Sequence, residues 1–129
     1  MDLTGIDHVA LSVNNIERSA NWYVEVLGFA RRFEGKWGGI PVFVGCGATA
    51  IALFPIESKA PGALSNAAGP RLLHLAFGTN AAGFLTAQQE LKDRGIPFHF
   101  QDHEISHSIY FCDPDGHELE ITTYDLRPA

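Results

Sequence analysis

The chain has 129 residues, a length that fits one compact domain. Its hydrophobic fraction of 46% and charged fraction of 19% are close to ordinary globular usage, which excludes disorder as the global state. Fifteen acidic residues against nine basic ones give a net charge of −6, and the basic residues are scattered, so we expect no nucleic-acid partner.

The first part of the chain is predicted to have the order β-α-β-β-β. A strand containing Ile6 to Leu11 leads into a helix that begins near Asn14 or Asn15, either of which is a good N-cap, and that ends at Gly28. The apolar stripe of this helix consists of Ile16, Ala20, Tyr23 and Leu27. Strand-like runs follow at about 29–36, 40–45 and 48–55.

A second copy of this order follows, because the run from Leu72 to Phe77 is similar to the first strand. Asn80 can cap the second helix, and Gly95 with Pro97 ends it. The apolar stripe of this helix consists of Phe84, Ala87 and Leu91. Strands are predicted at about 98–102, 107–112 and 117–123, and a turn at 113–116 joins the last two.

The expected fold class is therefore α+β, with two βαβββ modules in one domain over residues 1–129. Module 1 covers about 1–56, a linker about 57–70, and module 2 about 71–125. The linker is rich in small residues, proline and glycine, and its length is typical of either a lid or a crossover.

Alternation along the strands separates two faces. One face carries large aliphatic residues, so we expect the helices to cover it. The other face carries His8, His74, Tyr110 and Glu120 among small residues, which leaves space for a ligand on the concave side of a curved sheet. A buried glutamate beside neutral imidazoles is costly unless a cation compensates its charge.

His8, His74 and Glu120 form a set of two histidines and one carboxylate, which leaves coordination positions open on a divalent metal. A single histidine on a strand is more often a hydrogen-bonded side chain than a ligand. The matching positions of the two histidines in the repeat favour the metal site.

The chain contains no run of about 18 apolar residues and no basic leader followed by an apolar stretch, so we expect a cytoplasmic protein without a membrane contact. Cys46 and Cys112 are then expected to be reduced thiols on strands and in the core.

These features resemble the vicinal oxygen chelate superfamily, which includes glyoxalase I, extradiol dioxygenases, fosfomycin-resistance transferases, methylmalonyl-CoA epimerase and bleomycin-binding proteins. The resemblance covers nearly the whole chain. It is carried by the first strand of each module, the helix end at Trp22–Phe29 and the stretch Ile109–Glu120. It implies curved mixed sheets around a concave metal site, with the helices outside.

The resemblance implies that the metal ligands are His8, His74 and Glu120, on the first strand of each module and the last strand of the second. Glyoxalase I-like members add a fourth ligand where this chain has Ala52, which disfavours ordinary glyoxalase I chemistry. Tyr110 matches a substrate-site tyrosine of the ring-cleaving dioxygenases and the fosfomycin transferases.

Two departures separate the chain from these branches. The fosfomycin branch uses a lysine and a serine where this chain has Phe100 and Glu104, which disfavours phosphonate binding. The extradiol branch uses a histidine as acid and base near Gln101. Possible substitutes for it here are His99, His103 and His107.

We expect a metal-dependent enzyme whose small substrate chelates a divalent metal through adjacent oxygens, with a slight preference for a ring-cleaving dioxygenase. A glyoxalase-like isomerase or lyase and a thiol transferase are the alternatives. Tyr110 would hydrogen-bond a substrate oxygen, and His103 or His107 would act as acid and base. Fe2+ is the favoured metal, with Mn2+, Ni2+, Zn2+ and Co2+ open, and the resemblance also implies a homodimer.

A further alternative is a non-catalytic protein of the bleomycin-binding type, whose dimer groove holds a drug. Trp22, Trp37 and Phe54 would stack on the ligand in such a groove, although aromatic residues at these spacings are more often core. Drug-binding proteins of this type usually lack the three ligands. The presence of His8, His74 and Glu120 in this chain therefore disfavours this hypothesis.

Overall fold

The computed structural model describes residues 1–58 and 69–128. The chain divides into two compact units, residues 1–65 and 66–129, which repeat one plan. Most of the predicted linker at about 57–70 lies outside the described residues. No helix within the two described ranges is both long and apolar enough to cross a membrane.

The first unit contains one helix and a four-stranded mixed sheet of order β1-β4-β3-β2. Strand β1 runs parallel to β4, and the other pairs are antiparallel. Its elements are β1 (Val9–Val13), α1 (Ile16–Leu27), β2 (Ala30–Arg32), β3 (Val42–Cys46) and β4 (Thr49–Pro55).

The second unit repeats this arrangement with the order β5-β8-β7-β6, in which β5 runs parallel to β8. Its elements are β5 (Leu75–Gly78), α2 (Ala81–Asp93), β6 (His99–Asp102), β7 (His107–Cys112) and β8 (Glu118–Thr123). The predicted fold class, with two βαβββ modules, is confirmed.

Helix α1 begins and ends where its sequence signals predict. Of the two possible caps, Asn15 is the one used, and its side-chain oxygen accepts from the Arg18 N–H at 3.0 Å. Gly28 takes a left-handed conformation (φ 73°) and ends the helix. Ala20 and Tyr23 are buried on the face that packs against the sheet.

Helix α2 has two separate N-terminal acceptors. The Asn80 side chain accepts from the Gly83 N–H at 2.8 Å, and the Asp125 carboxylate accepts from the Ala81 N–H at 3.1 Å. Phe84 and Leu91 form its buried stripe. The structure confirms the predicted N-cap, Asn80, and the buried positions of Phe84 and Leu91.

The strand register confirms the two predicted faces in the second unit. Leu75 lies beside Leu119, which lies beside Phe111, and Ile109 lies beside Ile121, so the aliphatic side chains share the face that α2 covers. The residues that alternate with them form the other face, which we call the polar face of the second unit: Ala76, Ser108, Tyr110, Glu120 and Thr122.

The second strand is shorter than predicted. It covers Ala30–Arg32 rather than about 29–36, because Phe33 takes a left-handed conformation (φ 56°) that breaks the extended backbone. A single 3-10 turn at Trp37–Gly39 then leads into β3. The expectation of a strand through residue 36 was therefore wrong. The expectation of core thiols was also wrong, since Cys46 and Cys112 are both exposed.

Candidate metal and substrate site

Glu120 lies at the centre of the polar face of the second unit. It stands between Ala76 of β5 and Tyr110 of β7, and it is only 8% exposed. Its Oε1 lies 3.0 Å from Nε2 of His74, which immediately precedes β5. Two of the three predicted ligands therefore meet within one module.

Ser108 holds the second oxygen of this carboxylate. Its hydroxyl donates to Oε2 of Glu120 at 2.6 Å, and the side chain is fully buried. Its Oγ also lies 3.0 Å from Oγ1 of Thr122, the residue beside it in the strand register. A buried carboxylate that keeps a short hydrogen bond has a fixed orientation. Strand alternation places Ser108 on this face, but no motif marks it, and sequence reasoning gave it no role.

Tyr110 carries a hydroxyl that contacts His103. The Tyr110 hydroxyl and Nε2 of His103 are 3.0 Å apart, and the ring of His99 stacks on the tyrosine at a centroid distance of 5.2 Å. Partial burial, followed by the negative charge of Glu120, raises the pKa of Tyr110 above its ordinary value. The phenol is therefore protonated at neutral pH and can donate a hydrogen bond.

His107 lies on the opposite face of β7 from Tyr110. Its register partner on β6 is Asp102, whose Oδ1 is 3.7 Å from Nε2 of His107. Its ring meets Phe100 edge-on at 5.1 Å, on the side of the sheet where Phe100 also packs against Phe84 of α2. Of the two histidines expected near Tyr110, the structure brings His103 to the hydroxyl and leaves His107 among the helix-facing residues.

His8 belongs to the first unit, where it immediately precedes β1. Its Nδ1 lies 2.8 Å from Oδ2 of Asp7, and its ring meets Phe43 edge-on at 5.1 Å. When Nδ1 carries the proton for this hydrogen bond, Nε2 presents a lone pair, as in histidines that bind metals. Sequence reasoning did not consider Asp7 as a partner, although it is the adjacent residue.

Ala52 has no donor to offer at the position where the resemblance would place a fourth ligand. It is fully buried in β4 between Ala10 and Phe43.

Two of the aromatic residues expected to stack on a drug, Phe54 and Trp22, make contacts within the first unit. Phe54 packs against the core around Phe43, and Trp22 meets Tyr23 edge-on at 5.0 Å on helix α1.

The donor set in the second unit fits a divalent cation. An imidazole nitrogen and a carboxylate oxygen are both ligands that first-row divalent cations accept. His74 Nε2 and Glu120 Oε1 lie 3.0 Å apart, so both could face one bound cation. Among the described residues no three His, Cys, Asp or Glu side chains are grouped as a complete set of ligands, so the participation of His8 stays a prediction.

A cavity of about 490 Å³ adjoins Tyr110 in the second unit. Polar groups at its wall come from His99, Tyr110 and Glu118, and its apolar lining comes from Ile96, Pro97, Phe98 and Phe111. Its volume is that of an ordinary small-molecule site, and its walls suit an apolar body with a few polar contacts.

Comparisons with known proteins identify relatives along the whole chain. The family model described as "Glyoxalase/Bleomycin resistance protein/Dioxygenase superfamily" matches residues 5–121. The chain is 29% identical to the metallothiol transferase FosB of Staphylococcus epidermidis, over 98% of this chain and 87% of that protein. It is 28% identical to Glyoxylase I 4 of Arabidopsis thaliana, over 100% of this chain and 76% of that protein.

A solved structure shows the same fold. The lactoylglutathione lyase of Agrobacterium tumefaciens superposes with a TM-score of 0.75 at 22% identity, covering 95% of this chain and 96% of that one. The fold and the family are thus observed separately and agree.

Proposed function

Because the chain belongs to the Glyoxalase/Bleomycin resistance protein/Dioxygenase superfamily, we propose that it is a metal-dependent enzyme whose small substrate binds a divalent cation through two adjacent oxygens. One observation carries the proposal. His74 and Glu120 present a nitrogen and an oxygen 3.0 Å apart on a polar face that also carries the Tyr110 hydroxyl. A serine orients the carboxylate, as expected for a ligand whose position matters.

His8, His74 and Glu120 would hold the cation. When bound, such a cation acts as a Lewis acid that polarises the substrate oxygens, or as a centre for oxygen chemistry. Two imidazoles and one carboxylate suit several first-row metals, and we propose Fe2+ first, with Mn2+, Ni2+, Zn2+ and Co2+ as alternatives.

Tyr110 and His103 would handle the proton. The tyrosine, protonated at neutral pH, would donate a hydrogen bond to an oxygen of the bound substrate. His103, whose Nε2 is 3.0 Å from the phenol oxygen, can accept a proton from that hydroxyl or return one to it. His99 stacks on the tyrosine ring at a centroid distance of 5.2 Å.

Ring cleavage of a catechol-type substrate is the reaction that we propose first, since it requires a proton acceptor and a donor beside the bound oxygens. The test is oxygen uptake by Fe2+-loaded protein across a panel of catechols. Uptake that falls at least tenfold in Tyr110→Phe and in His103→Gln, while His107→Gln stays near wild type, supports this reaction. Loaded protein that consumes no oxygen with any catechol contradicts it.

Thiol transfer is the second candidate, because the relatives named above include a metallothiol transferase and a glyoxylase. Phe100 occupies a position where a phosphonate-binding branch would need a polar donor, and it packs against Phe84 of helix α2. A thiol acceptor other than a phosphonate is therefore the form to test. Thiol loss that requires both metal and an electrophile, without oxygen uptake, would select this reaction.

The chain is further proposed to form a homodimer. Sedimentation equilibrium of the metal-free and metal-loaded protein measures its mass directly. A mass near twice 14.1 kDa is the expected result, and a monomer under both conditions contradicts the dimer. Protein that binds a bulky cationic drug yet takes up no metal would instead favour the bleomycin-binding type.

A further inference from the structure

Cys112 and Glu118 continue the polar face of the second unit past the candidate metal ligand Glu120. They lie beside each other in the strand register, as Tyr110 and Glu120 do, and both line the cavity beside Tyr110. Glu118 and Glu120 are two residues apart on β8, so their side chains point to the same face about 7 Å apart along the strand. The cavity wall therefore begins one residue pair away from Glu120.

Most of the cavity wall is apolar. Ile96, Pro97 and Phe98 come from the segment between α2 and β6, and Phe111 comes from β7. The volume of about 490 Å³ is large enough for a molecule with an aromatic ring and a short side chain. The body of a ligand in this cavity would therefore be apolar.

Glu118 determines the charge of the cavity. Among the described residues at its wall, Glu118 is the acidic one, and none is a lysine or an arginine. The other polar groups there are the imidazole of His99, the phenol of Tyr110 and the thiol of Cys112, none of which carries a permanent charge. A ligand in the cavity therefore meets a negative charge.

The Glu118 carboxylate is available to a ligand. Its side chain is exposed, and it makes no ion pair within residues 1–58 and 69–128. Glu120, by contrast, contacts His74 at 3.0 Å and accepts a hydrogen bond from Ser108. The two carboxylates of β8 thus have different surroundings, and the one farther from His74 has no partner of opposite charge.

We propose that the substrate of this site carries a positively charged amino group, which Glu118 binds, on an apolar body that lies in the cavity. The inference rests on the proposed function, because the adjacent oxygens at the other end of the same molecule would bind the metal. A catechol whose side chain ends in an ammonium group has this chemistry. A substrate with an acidic side chain is disfavoured, since its charge would repel Glu118.

The first test is calorimetric titration of chelator-treated protein, at low salt, with 2-(2-naphthyl)ethylamine. The neutral match is 2-(2-naphthyl)ethanol, and the acid is 2-naphthylacetate. We expect the amine to bind about fivefold more tightly than the alcohol, because an ion pair with an exposed carboxylate contributes about that factor, and the acid to bind least. The preference should shrink in 0.5 M salt, which screens exposed charges.

Variants identify the carboxylate that the amine contacts. Glu118→Gln should lower the affinity for the amine to that of the alcohol, whereas Glu104→Gln, an exposed glutamate in the loop after β6, should keep the preference. Wild-type protein that binds amine and alcohol equally, or neither of them, would overturn the proposal. So would a preference that Glu120→Gln removes and Glu118→Gln keeps.

The second test connects the amine to the reaction, by oxygen uptake of Fe2+-loaded protein with 4-(2-aminoethyl)catechol and 4-(2-hydroxyethyl)catechol. We expect a KM about fivefold lower for the amine, and no difference in Glu118→Gln. Equal KM values would overturn the substrate class but leave ring cleavage standing. If neither catechol supports uptake, ring cleavage is contradicted, and the metal-free titration alone then decides whether the cavity binds an amine.

Discussion

At the scale of single residues, Ser108 has the clearest role in holding the site together. The buried Glu120 carboxylate receives its 2.6 Å hydrogen bond from this hydroxyl. Ser108→Ala removes that donor and leaves a buried acceptor without its partner. We expect the free energy of unfolding of metal-free protein to fall by about 1–3 kcal/mol, measured by urea titration.

The same substitution should weaken divalent metal binding about tenfold or more, because a freed carboxylate no longer faces His74 in a fixed orientation. Ser106→Ala is the matched control, since Ser106 is also buried in this part of the chain. If both variants bind metal equally, Ser108 does not orient the ligand.

Tyr110 allows a second test at the residue scale, through its pKa. Burial and the charge of Glu120 raise this pKa above the ordinary value, so the hydroxyl ionises later than a free phenol as pH rises. Glu120→Gln removes the charge but not the burial, and should bring the pKa of Tyr110 part of the way down. Ultraviolet titration of each background with and without Tyr110→Phe isolates this phenol from the other two tyrosines.

An unchanged pKa of Tyr110 in Glu120→Gln would show that the carboxylate does not act on the phenol. The sequence predicted that Tyr110 and Glu120 share a face, because strand alternation fixes the direction of each side chain. It could not choose between His103 and His107, since His103 lies in the loop after β6 and no periodicity fixes its direction.

At the scale of elements, helix α2 depends on a carboxylate that comes from outside it. Asp125 follows β8 and accepts from the Ala81 N–H. Hydrogen bonds from Arg127, followed by the one from Ala81, hold the pKa of this carboxyl well below its usual range. A lowered folded-state pKa means that the carboxylate stabilises the fold fully above the unfolded pKa of about 3.9 and progressively less as pH falls below it.

Asp125→Asn should therefore reduce the thermal unfolding midpoint at pH 7, and its difference from wild type should shrink as pH falls below about 4. Asn80→Ala is the control, since it removes an uncharged cap from the same helix at a cost of about 1 kcal/mol that does not depend on pH. A deficit of Asp125→Asn that stays constant down to pH 2.5 would contradict a role for the charge.

Element boundaries were predictable where one residue forces them. Asn15, Gly28 and Asn80 act where capping chemistry places them. The end of β2 was not predictable, because nothing local in the sequence marks Phe33 for a left-handed conformation. In the folded chain the Phe33 ring contacts Trp37 and Phe43, and the strand pattern of the sequence predicts neither contact.

At the scale of the whole molecule, the repeat is what made the fold predictable. Two similar strand motifs, each followed by a capped amphipathic helix, require two modules of one plan, and both sheets have the same strand order. The same repeat directed attention to His8 and His74 as equivalent positions. His8 contacts the adjacent Asp7, whereas His74 contacts Glu120 on another strand. The two histidines are therefore equivalent in the repeat but have different acidic partners.

We propose that His74 and Glu120 hold a catalytic divalent metal together with His8. The most direct measurement is metal content per chain by elemental mass spectrometry, on protein purified without chelators and again after reconstitution. We expect about one metal ion per chain in wild type and in His107→Ala, and its loss in His8→Ala, His74→Ala and Glu120→Ala. Wild-type protein that stays metal-free after reconstitution, or variants that keep their metal, would contradict it.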